Sequence, residues 1–277
     1  MQTATALRSV TPIRSDPLKL ARTVLREVGR ATMSCTDCQL RRICMPADVD
    51  PDSQDQFEHL VSTRTRLRKG DVLFRAGDRF TALYAIRLGS CKTVTPTDDG
   101  NEQLTGYHLP GDIIGVEGIG GNVHTCQAVA LEDSEVCVLP FDRIEALAHL
   151  DTAFQHRLYR LLSDAIAHER TVSVMLGTMR AEQRLASFLL DLSHRYQARG
   201  YSSTEFILRM TREEIGSHLG LKLETVSRLF SRFDEEGLIV VNGRTIRLLD
   251  RIGLKHLIGI DCGTPASGGV AGRVPVR

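Results

Sequence analysis

Residues 210–249, MTREEIGSHLGLKLETVSRLFSRFDEEGLIVVNGRTIRLL, constrain the fold of this chain more than any other stretch. Thr211 and Glu214 have the spacing of a capping box, in which two side chains satisfy two otherwise orphaned backbone N–H groups, so a helix starts there. Ile215 and Leu219 give that helix its buried face, and Gly220 ends it in a tight turn. A second helix follows with Val226, Leu229 or Phe230, and Phe233 inward, and it stops near Gly237. Asn242-Gly243 between LIVV and RTIRLL is a hairpin signal, because both positions tolerate positive φ. Helix, turn, helix and hairpin together make a winged helix-turn-helix, a unit that reads DNA.

The outward face of the second helix carries Glu224, Ser227, Arg228 and Ser231 at helical spacing, flanked by Lys222 and Arg232. In a major groove Arg forks to O6 and N7 of guanine, Glu accepts from cytosine N4, and Ser serves either role. Lys222 and Arg232 suit phosphates, which position a protein without reading sequence. On an ordinary solvated helix Glu224 and Arg228 are a plain i, i+4 pair; the winged context favours base reading. Acidic and basic residues balance across 181–250, so one unit binds modestly and a dimer that doubles the contacts is expected.

The rest of the chain has a different texture. At 277 residues and 42% hydrophobic content it has room for two modest cores. From about 60 to 141, short β-type runs (VLFRA, ALYAIRLG, CKTVTP, QLTGYHL, EVCVLPF) alternate with turn pairs such as Lys69-Gly70, Gly77-Asp78, Asp99-Gly100 and Gly111-Asp112. That pattern predicts an antiparallel barrel or jelly roll. A helical segment from about 142 to 178 follows, in which Leu158, Ala165, Val172 and Met179 recur every seven residues, with Leu161, His168 and Met175 offset by three. This heptad seam fits a helix packed on its own barrel or paired with a second copy; the second is favoured, since both neighbouring units have other apolar faces to bury. His168 and Glu169 lie at or beside the seam, where like charges weaken association, so the dimer is expected to be marginal. The division is an arm over 1–50, a β-roll over 51–141, a dimerisation helix over 142–179, the DNA reader over 180–250 and a tail over 251–277, Gly/Pro/Ala-rich and disordered at its end.

Charge and leader features narrow the function. With 35 Lys+Arg against 34 Asp+Glu, no global field draws the molecule to nucleic acid or lipid, so binding must come from a local patch. The N-terminus forms no apolar secretion core and no stretch is long enough to span a membrane, which reads as a cytoplasmic protein with reduced thiols. No P-loop, G-x-S-x-G or H-E-x-x-H is present, and His108, His124 and His194 read as structural, so an enzyme is not expected. MSCTDCQLRRICMP holds Cys35, Cys38 and Cys44 as C-x2-C-x5-C, a spacing that leaves open an iron-sulfur cluster, zinc or a thiol redox pair.

GDVLFRAGDRFTALYAIRLGS, EQLTGYHLPGD, VCVLPF, AEQRLASFLLDLSHR and GLKLETVSRLFSRF together resemble the CRP/FNR superfamily of bacterial transcription regulators, FNR type, over about residues 35–250. The resemblance implies an α+β chain: an N-terminal cyclic-nucleotide-binding-like β jelly roll, a long dimerisation helix and a C-terminal winged helix-turn-helix. It implies a homodimer, with Leu158, Leu161, Ala165, His168, Glu169, Val172 and Met175 at the seam, bound to double-stranded promoter DNA. Glu224, Ser227 and Arg228 would read a palindromic TTGAT-type site, and Leu223 stands where the family usually has Val. It further implies an oxygen-labile 4Fe-4S cluster on Cys35, Cys38, Cys44 and a distant fourth ligand. Cys137, just ahead of the long helix, matches that ligand; Cys91 and Cys126 are rivals by position, and Cys262 lies in the tail. RNA polymerase is expected to meet loops near 87–101 and 120–135. The implied function is oxygen-responsive control of anaerobic metabolism.

Two alternatives come from the same superfamily: a cyclic-nucleotide sensor, or a zinc- or thiol-based regulator. The nucleotide sensors carry Gly-Glu-Leu followed by Arg-Ser or Arg-Thr for the ribose and cyclic phosphate. Here GDIIGVEGIGGNVHTCQAVA contains no Arg, and His124, Thr125 and Cys126 fall near the phosphate position. A buried phosphate without a cation is costly, so no cyclic nucleotide is expected.

Overall fold

The computed structural model describes Cys38, residues 60–97 and residues 102–259 of the chain. The expected arm apart from Cys38, with Cys35 and Cys44, and the end of the tail with Cys262, lie outside the described residues. The N-terminal unit is built from β1 (Thr63–Leu67), β2 (Val72–Phe74), β3 (Ala82–Leu88), β4 (Cys91–Pro96), β5 (Glu102–His108), β6 (Ile113–Ile114), β7 (Gln127–Ala130) and β8 (Ser134–Pro140). These pair into two four-stranded antiparallel sheets, ordered β1-β8-β3-β6 and β2-β7-β4-β5. Side chains alternate across each strand, so Leu67, Ile86, Ile114 and Val136 of one sheet meet Phe74, Cys91, Ala128 and Ala130 of the other in a common core. The expected jelly-roll texture is thus present.

A repeated turn sets the register. In RKGD, RAGD and LPGD the glycines Gly70, Gly77 and Gly111 take φ of 90°, 88° and 94°, conformations that favour glycine. The aspartate that follows each glycine accepts a hydrogen bond from the backbone N–H three residues back: Arg68 to Asp71, Arg75 to Asp78 and Leu109 to Asp112, each 2.8 Å. These local Asx-type bonds let the chain reverse with the turn donors satisfied.

The helices are α1 (Phe141–Leu150), α2 (Thr152–Thr178), α3 (Ala181–Ala198), α4 (Arg212–Leu219), α5 (Leu223–Glu235) and α6 (Arg251–Leu257). A three-stranded sheet of order β10-β11-β9 joins them, from β9 (Glu205–Ile207), β10 (Ile239–Asn242) and β11 (Thr245–Leu248). The single helix expected over 142–178 is two. Asp151 is extended (φ −126°, ψ 107°), and its carboxylate accepts from the N–H groups of Ala153 and Phe154 at 2.8 and 3.1 Å, capping a new helix. The boundary at 250 is also corrected. Asp250 caps α6, whose Leu254 is buried and whose Leu257 packs on the C-terminal core, so the DNA-binding unit runs past 250.

The outer face of the sheet containing β4 and β5 is not solvated. Val94, Leu104, Tyr107, Leu109 and Leu131 belong to the same buried cluster as Leu185, Leu189, Ile215, Phe230 and Phe233 of the C-terminal unit. Polar contacts frame this joint. Asp112 accepts from Arg195 at 2.5 Å and from Arg199, Lys92 pairs with Glu214 at 2.8 Å, and the Leu104 N–H donates to Ser217 Oγ at 2.8 Å. Burial opposes ionisation of Asp112, but the two guanidiniums outweigh it and hold the carboxyl below its usual range.

Burial lowers His108 and His218 at the same joint to about 4. An unfolded histidine protonates near 6.5, whereas these stay neutral until about pH 4, so the unfolded chain binds more protons between those values. Their contribution to stability is full above about pH 6.5 and drains as pH falls towards 4. The Asp112 contribution is lost only below the ordinary carboxylate range, as pH falls through its depressed pKa. Thermal melts followed by circular dichroism should therefore shift downward between pH 6.5 and 4, and less so in His218→Phe, whose ring keeps the edge contact with Phe188. A wild-type melting temperature independent of pH over that range excludes this account.

Candidate nucleic-acid interface and cysteine site

The capping box forms as the spacing predicts. Glu214 N–H donates to Thr211 Oγ1 at 3.1 Å, and Thr211 N–H donates to Glu214 Oε2 at 2.7 Å. The other oxygen of Glu214 holds Lys92, so the start of the reading motif is tied to the roll. The turn between α4 and α5 is tight: a Cβ on Gly216 would stand 2.6 Å from the Leu221 carbonyl oxygen, and Gly220 has φ 62°. Within α5, Val226, Phe230 and Phe233 are buried and Leu229 is half-buried, while Glu224, Ser227, Arg228 and Ser231 are exposed on the opposite side. Arg212 lies with its guanidinium 3.3 Å from the centre of the Phe230 ring, which fixes α4 on α5. No ion pair joins Glu224 to Arg228 among the described residues, so the face is open to a partner.

Lys222 is exposed at the start of α5, where a phosphate can reach it. Arg232 differs from expectation. It pairs with Glu182 of α3 at 2.8 Å and with Glu236 at 2.7 Å, which makes it a strut between helices rather than a free phosphate contact. Arg244 was missed by the sequence reading. It is exposed at the tip of the wing, where Asn242 faces Thr245 and Gly243 takes φ 60°. Because Asn242 pairs with Thr245, the two-residue turn is Gly243-Arg244, one position later than the Asn242-Gly243 turn expected from the sequence.

The four described cysteines divide into two pairs. Cys91 and Cys126 are buried in the roll core, and burial pushes both thiols up to about 12, as expected of small apolar fillers. Cys38 and Cys137 are only partly buried. Burial raises Cys137, its neighbour Cys38 raises it further, and Arg64, which hydrogen-bonds it, and Arg87 pull it back down. Cys38 thus lies near enough to Cys137 to interact with it electrostatically, and the two guanidiniums oppose the burial that on balance raises the Cys137 thiol. No group of three or more His, Cys, Asp or Glu side chains converges on a metal site among the described residues.

The place where the family resemblance expects the phosphate holds a buried histidine. His124 is 2% exposed and stacks on Phe74 with ring centroids 3.7 Å apart, edge-on to Phe80. Its Nδ1 is 2.8 Å from Glu117 Oε1. A carboxylate here repels a cyclic phosphate where a guanidinium would attract it.

The expected seam on α2 separates into two roles. Met175 is buried and Val172 half-buried against the C-terminal core, and Leu158 packs on the cluster beneath β8 and α1. Leu161 and Ala165 are half-buried, and His168 and Glu169 are exposed. Exposed apolar side chains fall one residue further on, with Tyr159 and Ile166 each 55% exposed, and Val174 near the end of the helix is 59% exposed. Ser163, Ala167 and Arg170 share a shallow surface depression with Tyr159, Leu162 and Ile166. The heptad mixed these faces because the helix is apolar on both sides, and periodicity alone does not say which side is already covered.

Residues 64–151 match the family model described as a cyclic nucleotide-binding domain, and residues 183–257 match the Crp-like helix-turn-helix domain. A sensor-type roll packed on a DNA-reading motif defines a transcription regulator, not an enzyme. The chain is 48% identical to the transcriptional regulatory protein btr of Bordetella pertussis over 225 residues, covering 81% of this chain and 93% of that protein. It is 38% identical to the fumarate and nitrate reduction regulatory protein of Escherichia coli K12 over 231 residues, covering 83% and 92%. Among solved structures, FixK2 from Bradyrhizobium japonicum superposes with a TM-score of 0.66 at 30% identity, over 70% of this chain and 96% of that one. The chain belongs to the CRP/FNR family of transcription regulators. Among the described residues, no helix is long and apolar enough to cross a membrane.

Proposed function

We propose that this protein is an oxygen-responsive regulator of anaerobic metabolism, held in its DNA-binding form by a 4Fe-4S cluster on Cys35, Cys38, Cys44 and Cys137. The observation that carries this reading is that Cys38 and Cys137 are partly buried and near enough to interact electrostatically, while Cys91 and Cys126 are sealed in the core. The relatives support it: the Escherichia coli protein is named for fumarate and nitrate reduction, and a 40% identical Pseudomonas aeruginosa protein is the transcriptional activator anr. When bound, the cluster would supply an oxygen-sensitive crosslink between the arm and the roll.

The chain's own residues carry that state to the dimer helix. Cys137 packs against an apolar cluster that includes Leu139, Ile144, Leu147 and, from α2, Phe154 and Leu158. Displacement at Cys137 therefore reaches the start of α2 through direct packing, with no flexible segment between. Dimerisation then uses the stripe Tyr159, Leu162 and Ile166, with Leu161 and Ala165 beside it and the exposed Glu169 near the following turn. In a two-fold dimer the two α5 faces enter successive major grooves, Glu224, Ser227 and Arg228 read a TTGAT-type half-site, and Lys222 and Arg244 meet phosphates. RNA polymerase docks on the roll loops near 87–101 and 120–135. No cyclic nucleotide is needed, given Glu117 and His124 at the phosphate position.

Protein purified without oxygen should carry a broad brown absorbance that bleaches in air. Cys137→Ala should lose the colour, and Cys91→Ala and Cys126→Ala should keep it; a colourless, zinc-loaded wild type sinks the cluster reading. In fluorescence anisotropy, Arg228→Ala should cost about 1–3 kcal/mol on a TTGAT-type palindrome and relax discrimination at one base pair. Lys222→Ala should instead weaken all sequences alike and lower the salt slope by about 1. Addition of cyclic AMP to the same assay should leave affinity unchanged. In sedimentation, Ile166→Glu should be monomeric with a normal melt and Glu169→Ala should dimerise more tightly, whereas Met175→Glu should damage the C-terminal core. A dimeric Ile166→Glu refutes the stripe.

A further inference from the structure

Arg184, in the first turn of α3, joins three helices at one point. Its Nε donates to the Met179 carbonyl at 2.9 Å, its Nη2 to the Leu176 carbonyl at 2.6 Å and its Nη1 to the Leu219 carbonyl at 3.0 Å. Leu176 lies in the last turn of α2, Met179 is the C-cap of that helix, and Leu219 is the last residue of α4. The closing carbonyls of a helix lack a partner inside it and carry the negative end of its dipole, so a guanidinium suits them. Gly220 leaves room for the approach: a Cβ there would stand 3.2 Å from Arg184 Nη1, besides the φ of 62° that already favours glycine.

This junction sits where the chain changes direction. Met179 and Arg180 are extended, with ψ of 145° and 162°, and separate α2 from α3. The Arg180 N–H, which would prolong α2 by bonding the Leu176 carbonyl, donates instead to Gln183 Oε1 at 2.9 Å. Arg184 takes up the carbonyl so released. Val172, Met175, Leu176 and Met179 also pack on the C-terminal core, but apolar contact is non-directional and lets one surface turn on another. A planar guanidinium with three nitrogens bonded to three backbone carbonyls resists that turn. Beyond Leu219 the turn is held by the Leu221 N–H on the Gly216 carbonyl at 2.8 Å, and α5 starts at Leu223, so the end of α4 places the reading helix.

We propose that Arg184 sets which half-site spacing the dimer accepts, by fixing the angle between the dimerisation helix α2 and the reading helix α5. This rests on the dimeric DNA reading above. Arg184 is a positioning residue, which acts on the bases only through α5. One base pair more or less between half-sites moves the second about 3.4 Å along the duplex and turns it by about 35°. A reader held by a rigid junction rejects that displacement, and a loosely held one follows it.

The test measures the affinity of the anaerobically purified full-length protein for TTGAT-type palindromes whose central spacer grows or shrinks by single base pairs. Wild type should bind one spacer about tenfold tighter than its neighbours. Arg184→Gln and Arg184→Lys should both lower that ratio several-fold, because neither side chain offers the fork, while the penalty for one wrong base in a half-site stays at its wild-type value. Ile246→Val, a methylene removed from a buried position of the same core, should melt lower in circular dichroism and keep the spacer ratio. An unchanged ratio in either Arg184 variant overturns the proposal, as does an Ile246→Val that relaxes as much. A wild type that gains equally from a second half-site at every spacing overturns it too. If Arg184→Gln does not fold, Arg184→Lys decides by the same ratio, and failure of both to fold makes Arg184 a core strut and overturns the proposal. A wild type that binds a palindrome no better than a single half-site is instead the failure of the dimeric reading, so the two failures are distinct.

Discussion

Asp112 ends the third Gly-Asp turn of the roll and reaches out of it to two arginines of α3. Arg195 also donates to the Tyr107 carbonyl at 2.8 Å, and Arg199 to the Pro110 carbonyl at 2.5 Å. One carboxylate and two backbone carbonyls on a rigid turn thus fix the direction of α3, on which α4, α5 and α6 are packed. A pair buried this well costs desolvation, and what it returns is geometry more than stability. On the dimeric mode of DNA reading proposed above, in which two reading helices meet grooves about one DNA turn apart, a fixed angle between sensor and reader is the quantity that matters.

The second sheet of the roll joins the C-terminal core, so the molecule has fewer independent parts than a roll, a helix and a reader strung together. Leu104 and Tyr107 contact that core from the roll side and Met175 from α2. Lys92 on Glu214 then couples the β4 strand to the cap of the helix-turn-helix itself. Any movement of the β4–β5 edge is carried to the start of α4 without crossing a loop.

Much of this was legible in the sequence for local reasons. The capping box at Thr211 and Glu214 and the glycine turn at Gly220 each depend on residues within a few positions of one another and formed as read, while the hairpin formed with its turn one residue later, at Gly243-Arg244. The roll was legible from its Gly-Asp turns. What escaped depends on contacts far apart in the chain. Asp151 looked like one polar residue in an apolar-periodic stretch, and only its two bonds to the next turn reveal a cap. The register of the exposed stripe on α2 depends on which face the roll and reader already cover. Arg232 reads as a free cation until Glu182, fifty residues away, is placed beside it. Arg64 gains meaning only from the strand register that sets it against Cys137.

The ring stack of His124 on Phe74 has a consequence for how such a roll can be controlled at all. In a roll with space at its centre, a small molecule works as a wedge, changing the shape from within. Here aromatic carbon and a paired imidazole already take up the position a wedge would use. On the function proposed above, control is applied like a clamp, from outside, where a pull on one strand is not absorbed by a soft interior. A solid centre then serves as an anvil for a signal received on the opposite face of the sheet.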